Sequence, residues 1–219
     1  MLSVILPTLN EEERLKPTLN SIKRFVDEII ISDGGSIDGT VGYAKSVGAR
    51  VVTVGKGRGS QLKIGAQIAE GDWLLFLHAD TVLADGWFTE ATKFMNLGLD
   101  KAGVFKFSFD DPRWLARVIE KIVFLRNKLL AMPFGDQGML ISRSFYEDLG
   151  GFKSIPIFED VDIIRRIGRR QLVFFNSRAV TSAERYNKNR LFFQSFKNLL
   201  MFILYYLGAS PHFLVRLYK

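Results

Sequence analysis

A chain of 219 residues and 24.9 kDa, 47% hydrophobic and 24% charged, has the length of one large domain or a domain with an appendage, and enough apolar material for a core; disordered and collagen-like classes are excluded. With no cysteine and only His78 and His212 as histidines, disulfides, thiolate metal sites and a multi-histidine zinc centre are excluded too, so any metal must be held by oxygens. The net charge of +7 is unevenly spread, −3 over residues 1–112 and +10 over residues 113–219, and the cationic second half suits an anionic partner.

In chain order, Leu2–Pro7 is an apolar run of strand character, and Glu11–Phe25 follows at helical spacing with Asn10 as its expected cap. Glu28–Ser32 reads as strand, Asp38–Val47 as helix, Arg50–Val54 as strand, Gly59–Glu70 as helix and Trp73–Leu77 as the fourth strand. Short apolar runs between longer amphipathic stretches are the signature of βαβ units, so a mainly parallel central sheet flanked by helices is expected. Ligands of such sheets bind at the carboxyl ends of the strands, which places Pro7–Glu11, Asp33–Thr40, Gly55–Ser60 and His78–Thr81 along one edge. The second half reads as helix at Gly86–Asn96, strand at Ala102–Phe109 and a long amphipathic helix from Arg113 to Ala131. Then come a strand at Met139–Ile141, a helix at Arg143–Leu149 capped by Ser142, a helix at Asp160–Arg169 and a strand at Leu172–Phe175. Arg190–Leu207 and His212–Tyr218 form a closing helix–turn–helix.

Five segments carry groups suited to chemistry. Asp33-Gly34-Gly35-Ser36-Ile37-Asp38-Gly39-Thr40 stands between a strand and a helix, where glycines let a ligand approach and a carboxylate accepts from a base or ribose; a glycine-rich turn with a helix cap explains the spacing equally well. It is not a dinucleotide fingerprint, and no P-loop occurs in the chain. His78-Ala79-Asp80 ends the fourth strand and suits a hard cation bridged to phosphates. Lys56-Gly57-Arg58-Gly59-Ser60-Gln61 is a basic loop opening a helix, suited to phosphate or to a surface turn. Phe158-Glu159-Asp160-Val161-Asp162 offers a general base, or N-terminal capping of a helix. Pro133-Phe134-Gly135-Asp136-Gln137-Gly138 is a polar loop fit to hold an acceptor hydroxyl, or a plain turn.

Taken in this order after these strands, Pro7-Thr8-Leu9-Asn10-Glu11, the Asp33–Thr40 segment, His78-Ala79-Asp80, Gly135-Asp136-Gln137-Gly138 and Glu159-Asp160 resemble the family 2 glycosyltransferases of the GT-A fold, over about residues 2–185. Gly-Asp-Gln-Gly and His-Ala-Asp look closest to small, single-domain bacterial members. The resemblance implies an α/β fold of the nucleotide-diphospho-sugar transferase type, a domain over 1–185 and a C-terminal helical extension over 186–219. It implies a donor site built from Pro7, Thr8, Asn10, Glu11, Asp33, Gly34, Ser36, Arg58, Gln61, His78 and Asp80, for which a UDP-sugar is the favoured donor. Asp80 would hold Mn²⁺ or Mg²⁺, with His78 standing where the first Asp of Asp-x-Asp is expected. Asp160, with Glu159 beside it, would be the catalytic pair and Asp160 the base. Gly135, Asp136 and Gln137 would meet a hydroxyl acceptor of unknown identity, and the transfer would invert the anomeric centre in one displacement.

The closing helix is nearly apolar all round and needs a cover: its own domain, a second copy in a homodimer, or a membrane interface with its basic residues toward lipid phosphates. A lipid acceptor is compatible with the last. No secretory signal is recognised, since Leu2–Leu6 is too short and lacks a basic flank, and the longest apolar run, Leu199–Leu207, falls short of the ~18–20 residues that span a bilayer. The expectation is a cytoplasmic protein, with peripheral contact at the inner face of the cell membrane left open. Two other classes stay open on the residues alone. A sugar-nucleotide nucleotidyltransferase would carry a glycine-rich basic loop where Thr8-Leu9-Asn10-Glu11 stands, and in a non-catalytic basic protein binding nucleic acid or membrane the carboxylates of Asp33, Asp80 and Asp160 would repel phosphates unless a metal filled the site. Nucleic acid is not expected as a partner.

Overall fold

A computed structural model describes residues 1–98, 100–182 and 190–218. The expected domain boundary at 185/186 and the basic residues Arg185, Lys188 and Lys219 of the tail lie outside them. Strands β1 (Leu2–Thr8), β2 (Glu28–Asp33), β3 (Arg50–Thr53) and β4 (Trp73–Phe76) alternate with helices α1 (Glu12–Ile22), α2 (Thr40–Ser46) and α3 (Arg58–Ile68). The chain continues through β5 (Thr81–Leu83), α4 (Trp87–Leu97), β6 (Ala102–Phe109), α5 (Trp114–Leu130), β7 (Met139–Ser142), α6 (Arg143–Asp148), α7 (Glu159–Ile167), β8 (Leu172–Thr181), α8 (Arg190–Tyr206) and α9 (Pro211–Tyr218). The sheet has the order β3-β2-β1-β4-β7-β6-β8-β5. The first four strands are parallel, β7 runs antiparallel between β4 and β6, β8 lies parallel to β6, and β5 pairs antiparallel with β8 at the edge.

Strand alternation explains why both faces are covered. Ile5, Ile30, Leu74 and Phe76 point to one face, where they meet Leu62 and Ala66 of α3, Phe145 of α6 and Val161 and Ile164 of α7. Val4, Leu6, Ile31, Leu75 and Leu77 point to the other and meet Leu15 and Leu19 of α1, Ala44 of α2 and Ala91 and Phe94 of α4. Helix α3 comes closest to the sheet at Gly65, where a Cβ would lie 2.5 Å from Ile5 Cγ2 and 2.6 Å from Ser32 Oγ. Gly65→Ala is therefore expected to destabilise by about 1–3 kcal/mol through overpacking, read as a lower urea midpoint with an unchanged m-value.

Three local expectations are corrected. Asn10 does not cap α1: it adopts φ 55° and bridges the first two loops, donating its N–H to Ser36 Oγ (2.8 Å) and accepting from Ile37 N (2.9 Å) on Oδ1. The cap comes from across the site, where Asp38 Oδ2 accepts from Glu12 N at 3.3 Å while Glu12 Oε2 accepts from Gly39 N at 3.0 Å. Thr81, expected in the loop after the fourth strand, instead begins the short strand Thr81–Leu83. The last strand runs on from Phe175 to Thr181, past a register shift opposite Val104–Lys106. The amides of Asn176 and Ser177 donate to the Glu90 carboxylate of α4, both at 2.8 Å, so the polar stretch stays in the sheet without losing hydrogen bonds. The Ser142 cap of α6 is as expected, its Oγ accepting from Phe145 N at 3.3 Å.

One face of α8 packs on its own domain. Met201 and Phe202 are buried, Phe202 lies 5.6 Å from the Phe134 ring, and Tyr205 stacks on Phe158 at 4.8 Å. The other face exposes Leu199, Leu200, Ile203 and Tyr206. No helix among the described residues is long and apolar enough to cross a membrane.

Candidate active site

The carboxyl ends of β1 and β2 gather a cluster of polar groups around Asp33. Its carboxylate is 1% exposed and accepts from Thr8 Oγ1 (3.0 Å), Gly35 N (2.9 Å), Ser36 N (2.8 Å) and Ser36 Oγ. Burial raises its pKa, but the hydrogen bonds from Ser36, Thr8 and Gly35 outweigh it and hold the group below the usual carboxylate range. Gly34 donates its N–H to Thr8 O at 2.8 Å, and a Cβ on it would sit 3.3 Å from that oxygen, so the loop closes tightly on the strand end. Pro7 pairs in register with Ser32, and Glu11 sits at the rim with its N–H donated to Thr40 Oγ1 (2.9 Å) and its carboxylate 3.1 Å from Arg14. Gln61 is drawn inward. It is buried, and its Nε2 donates to Thr8 O (2.8 Å) and Ser32 O (2.7 Å), which clips the two strand ends together from the first turns of α3.

Arg58, the first residue of α3, lines a cavity of about 360 Å³. His78, Asp80, Asp136 and Asp160 line it with Arg58. Gly135 marks their convergence: its N–H donates to Asp160 Oδ2 at 2.7 Å, and a Cβ on it would lie 2.9 Å from His78 Nε2 and 3.3 Å from Asp160 Oδ2. Asp160 Oδ1 accepts from Val161 N at 2.8 Å, so both oxygens are oriented by backbone. Arg58 Nη1 is 3.4 Å from His78 Nε2, and since a guanidinium only donates, the ring nitrogen accepts.

The neighbouring Glu159 has a different fate. It is 1% exposed and its Oε1 is ion-paired with Arg58 Nε, which holds Arg58 in place. Burial pushes its carboxyl up, opposed by the Arg58 cation. Gln137 is likewise turned in. Its Oε1 accepts from Asn127 Nδ2 (3.0 Å) and Arg126 Nη2 (3.3 Å) and its Nε2 donates to Phe105 O (2.9 Å), tying the loop to α5 and β6.

Asp136 remains in the cavity with an Oδ1 that has no hydrogen-bond partner. Burial, reinforced by Asp160 and Asp80, pushes its pKa up to about 6 despite Arg126 and Arg58. An unfolded Asp loses its proton near 4, so between there and about 6 the folded state binds more protons and stability falls as pH rises. Asp136→Asn is expected to raise the melting temperature of the metal-free protein at pH 8 and leave it unchanged at pH 4, measured by thermal scans across that range. The lining has three carboxylates and one guanidinium, so a diphosphate would be repelled unless a cation joined it. The donor set fits a divalent cation with a preference for oxygen, although among the described residues no three such side chains are close enough to hold one unaided; the remaining positions would come from ligand oxygens and water.

Several lining residues carried no signal in the sequence. Phe109 and Thr181 enter because β6 and β8 end here in register, and Met201 enters from α8, whose Tyr205 stacks on Phe158. Phe158 sits at φ 64°, a conformation costly for an aromatic residue, immediately before the two acids of α7.

A family model described as glycosyl transferase family 2 matches residues 3–149. An uncharacterized glycosyltransferase of Rickettsia felis is 30% identical over 148 residues, 66% of this chain and 48% of that protein; this chain thus spans under half the length of that relative. The fold is similar to S. aureus TarS residues 1–349 (TM-score 0.67, 15% identity, 95% of this chain and 66% of that one). It is also similar to glucosyl-3-phosphoglycerate synthase from Mycobacterium tuberculosis in complex with Mn²⁺, UDP and glucosyl-3-phosphoglycerate (TM-score 0.59, 24% identity, 81% and 70%).

Proposed function

Because the chain belongs to glycosyl transferase family 2, we propose that it transfers a sugar from a nucleotide-diphospho-sugar to an acceptor hydroxyl with inversion. The observation that carries this is the convergence of Arg58, His78, Asp80 and Asp160 in one cavity. UDP is the favoured nucleotide, supported by the Mn²⁺ and UDP bound to the mycobacterial neighbour.

In this reading Asp33, Thr8 and Ser36 receive the nucleoside and Asn10 and Glu11 border it. Gln61 and Gln137 act by positioning, one on the strand ends and the other on the Gly135–Asp136 loop. Asp80 would hold Mn²⁺ or Mg²⁺, with Asp136 and His78 close by, and the ion would supply positive charge against the donor diphosphate. Arg58, fixed by Glu159, lies on the diphosphate side. Asp160 accepts the proton of the acceptor hydroxyl as its oxygen bonds to the anomeric carbon, the bond from that carbon to the diphosphate oxygen breaks, and the nucleoside diphosphate departs. Calorimetry of UDP with and without Mn²⁺ tests the donor half: binding is expected to need the metal and to fall at least tenfold in Asp80→Ala, and metal-independent binding equal in both proteins would remove Asp80 from the role.

A further inference from the structure

Next to the catalytic cavity lies a second, larger opening of about 630 Å³ between α5 and strands β6 and β8. Its walls are apolar, with Phe107, Val123, Phe124 and Phe174 among them, and its rim carries Lys106, Arg117, Lys121, Lys128 and Arg178. The one acid, Glu120, is already used: it pairs with Arg117 (2.8 Å) and accepts from Ser108 Oγ (2.9 Å) and Phe109 N (2.7 Å). Among the described residues no carboxylate pairs with Lys106, Lys121, Lys128 or Arg178. A largely apolar groove with uncompensated cations at its mouth is complementary to an apolar chain that ends in an anion.

Helix α5 says where such a molecule comes from. Trp114, Val118, Ile122, Leu125 and Leu129 recur every three or four residues and form one stripe, all exposed, Trp114 at 75% and Leu129 at 66%. An apolar stripe flanked by lysine and arginine is the pattern of a helix lying in an anionic membrane interface. A second copy of this chain is a poor cover, because residues 163–219 add eleven basic residues and a single acid to the same molecule. The groove and the site are supported by the same two strands. Lys106 and Arg178 are paired in register at its rim, and Phe109 and Thr181, three residues further along the same strands, line the catalytic cavity, a distance of about 10 Å.

We propose that this groove binds the apolar chain and phosphate of a membrane lipid, with α5 seated in the bilayer surface, so that the acceptor is presented from that side. The acceptor role rests on the glycosyltransferase reading; the lipid binding does not. The test uses the full chain, with monomeric dodecyl phosphate, inorganic phosphate and UDP with Mn²⁺ measured by calorimetry, and phosphatidylcholine vesicles with and without phosphatidic acid measured by sedimentation. Dodecyl phosphate is expected to bind at least about a hundredfold tighter than inorganic phosphate. Lys121→Glu with Lys128→Glu, both exposed positions, is expected to weaken dodecyl phosphate at least about tenfold. Ile122→Glu with Leu125→Glu is expected to abolish sedimentation with the acidic vesicles while retaining dodecyl phosphate. UDP binding should be unchanged in both double variants, which also reports that they fold.

Equal binding of the two phosphates, or dodecyl phosphate binding untouched in the lysine variant, would overturn the proposal. So would a wild type that ignores vesicles and forms a dimer which the Ile122/Leu125 variant dissociates. A wild type that binds dodecyl phosphate and vesicles but not UDP would leave this site standing and remove the donor reading instead.

Discussion

Asp160→Asn is expected to lower turnover by about 10²–10⁴-fold while leaving UDP affinity within a few-fold. The asymmetry follows from where the side chain stands. Its carboxylate is oriented by two backbone N–H groups, from Gly135 and Val161, and lines the cavity in which the transfer would occur. Those bonds fix the direction of the oxygens before any acceptor arrives, which lets a positioned base contribute its full share. Asn preserves the shape but has no basic oxygen of comparable strength, so the proton of the attacking hydroxyl would have no acceptor. In the proposed reading the donor would be held elsewhere, by the groups around Asp33 and on the diphosphate side, and should be bound nearly as before. Single-turnover rates and calorimetric UDP affinities on the same preparations decide the matter. Equal losses in both would assign Asp160 to donor binding or to the fold.

The parts of the molecule that were legible in the sequence are those governed by periodicity. Leu2–Thr8, Glu28–Asp33 and Trp73–Phe76 are apolar runs bounded by amphipathic segments, and the loops after them meet because parallel strands share a carboxyl edge. What escaped is governed by side-chain direction and by partners distant in the chain. Nothing local in Asn176-Ser177-Arg178 indicates a strand, because its amides are completed by Glu90, more than eighty residues earlier. Nothing in Gly135-Asp136-Gln137 tells which polar side chain faces the cavity; Gln137 is taken inward by Asn127, Arg126 and Phe105, leaving Asp136. The motif located the loop, and packing distributed the roles within it. Asp33 shows the same division: its glycines and serine were readable as a ligand loop, but its four hydrogen-bond donors show that the loop is first a device for holding a buried charge.

Glu159→Ala separates the two adjacent acids most sharply, since it should act on stability and donor binding where Asp160→Asn acts on turnover. Successive helical residues point about 100° apart, so at the start of α7 one acid enters the cavity and the other is buried against Arg58. Breaking a buried ion pair by removing one partner typically costs about 3–5 kcal/mol. The loss here is expected toward the low end, because Arg58 is 45% exposed and water can take over part of its solvation. Arg58→Ala would leave Glu159 behind, 1% exposed and with an Oε2 already lacking a partner, so it is expected to destabilise as much or more. The double variant removes both charges and should cost less than the two single changes together by about 0.5–3 kcal/mol, measured by urea unfolding of all four proteins. Strict additivity would mean that the two side chains do not interact energetically in the fold. In the presence of Mn²⁺, Glu159→Ala should also weaken UDP, because a released Arg58 no longer has a fixed position toward the diphosphate. A variant that lost stability but bound UDP as the wild type does would confine Glu159 to the core and take Arg58 off the donor.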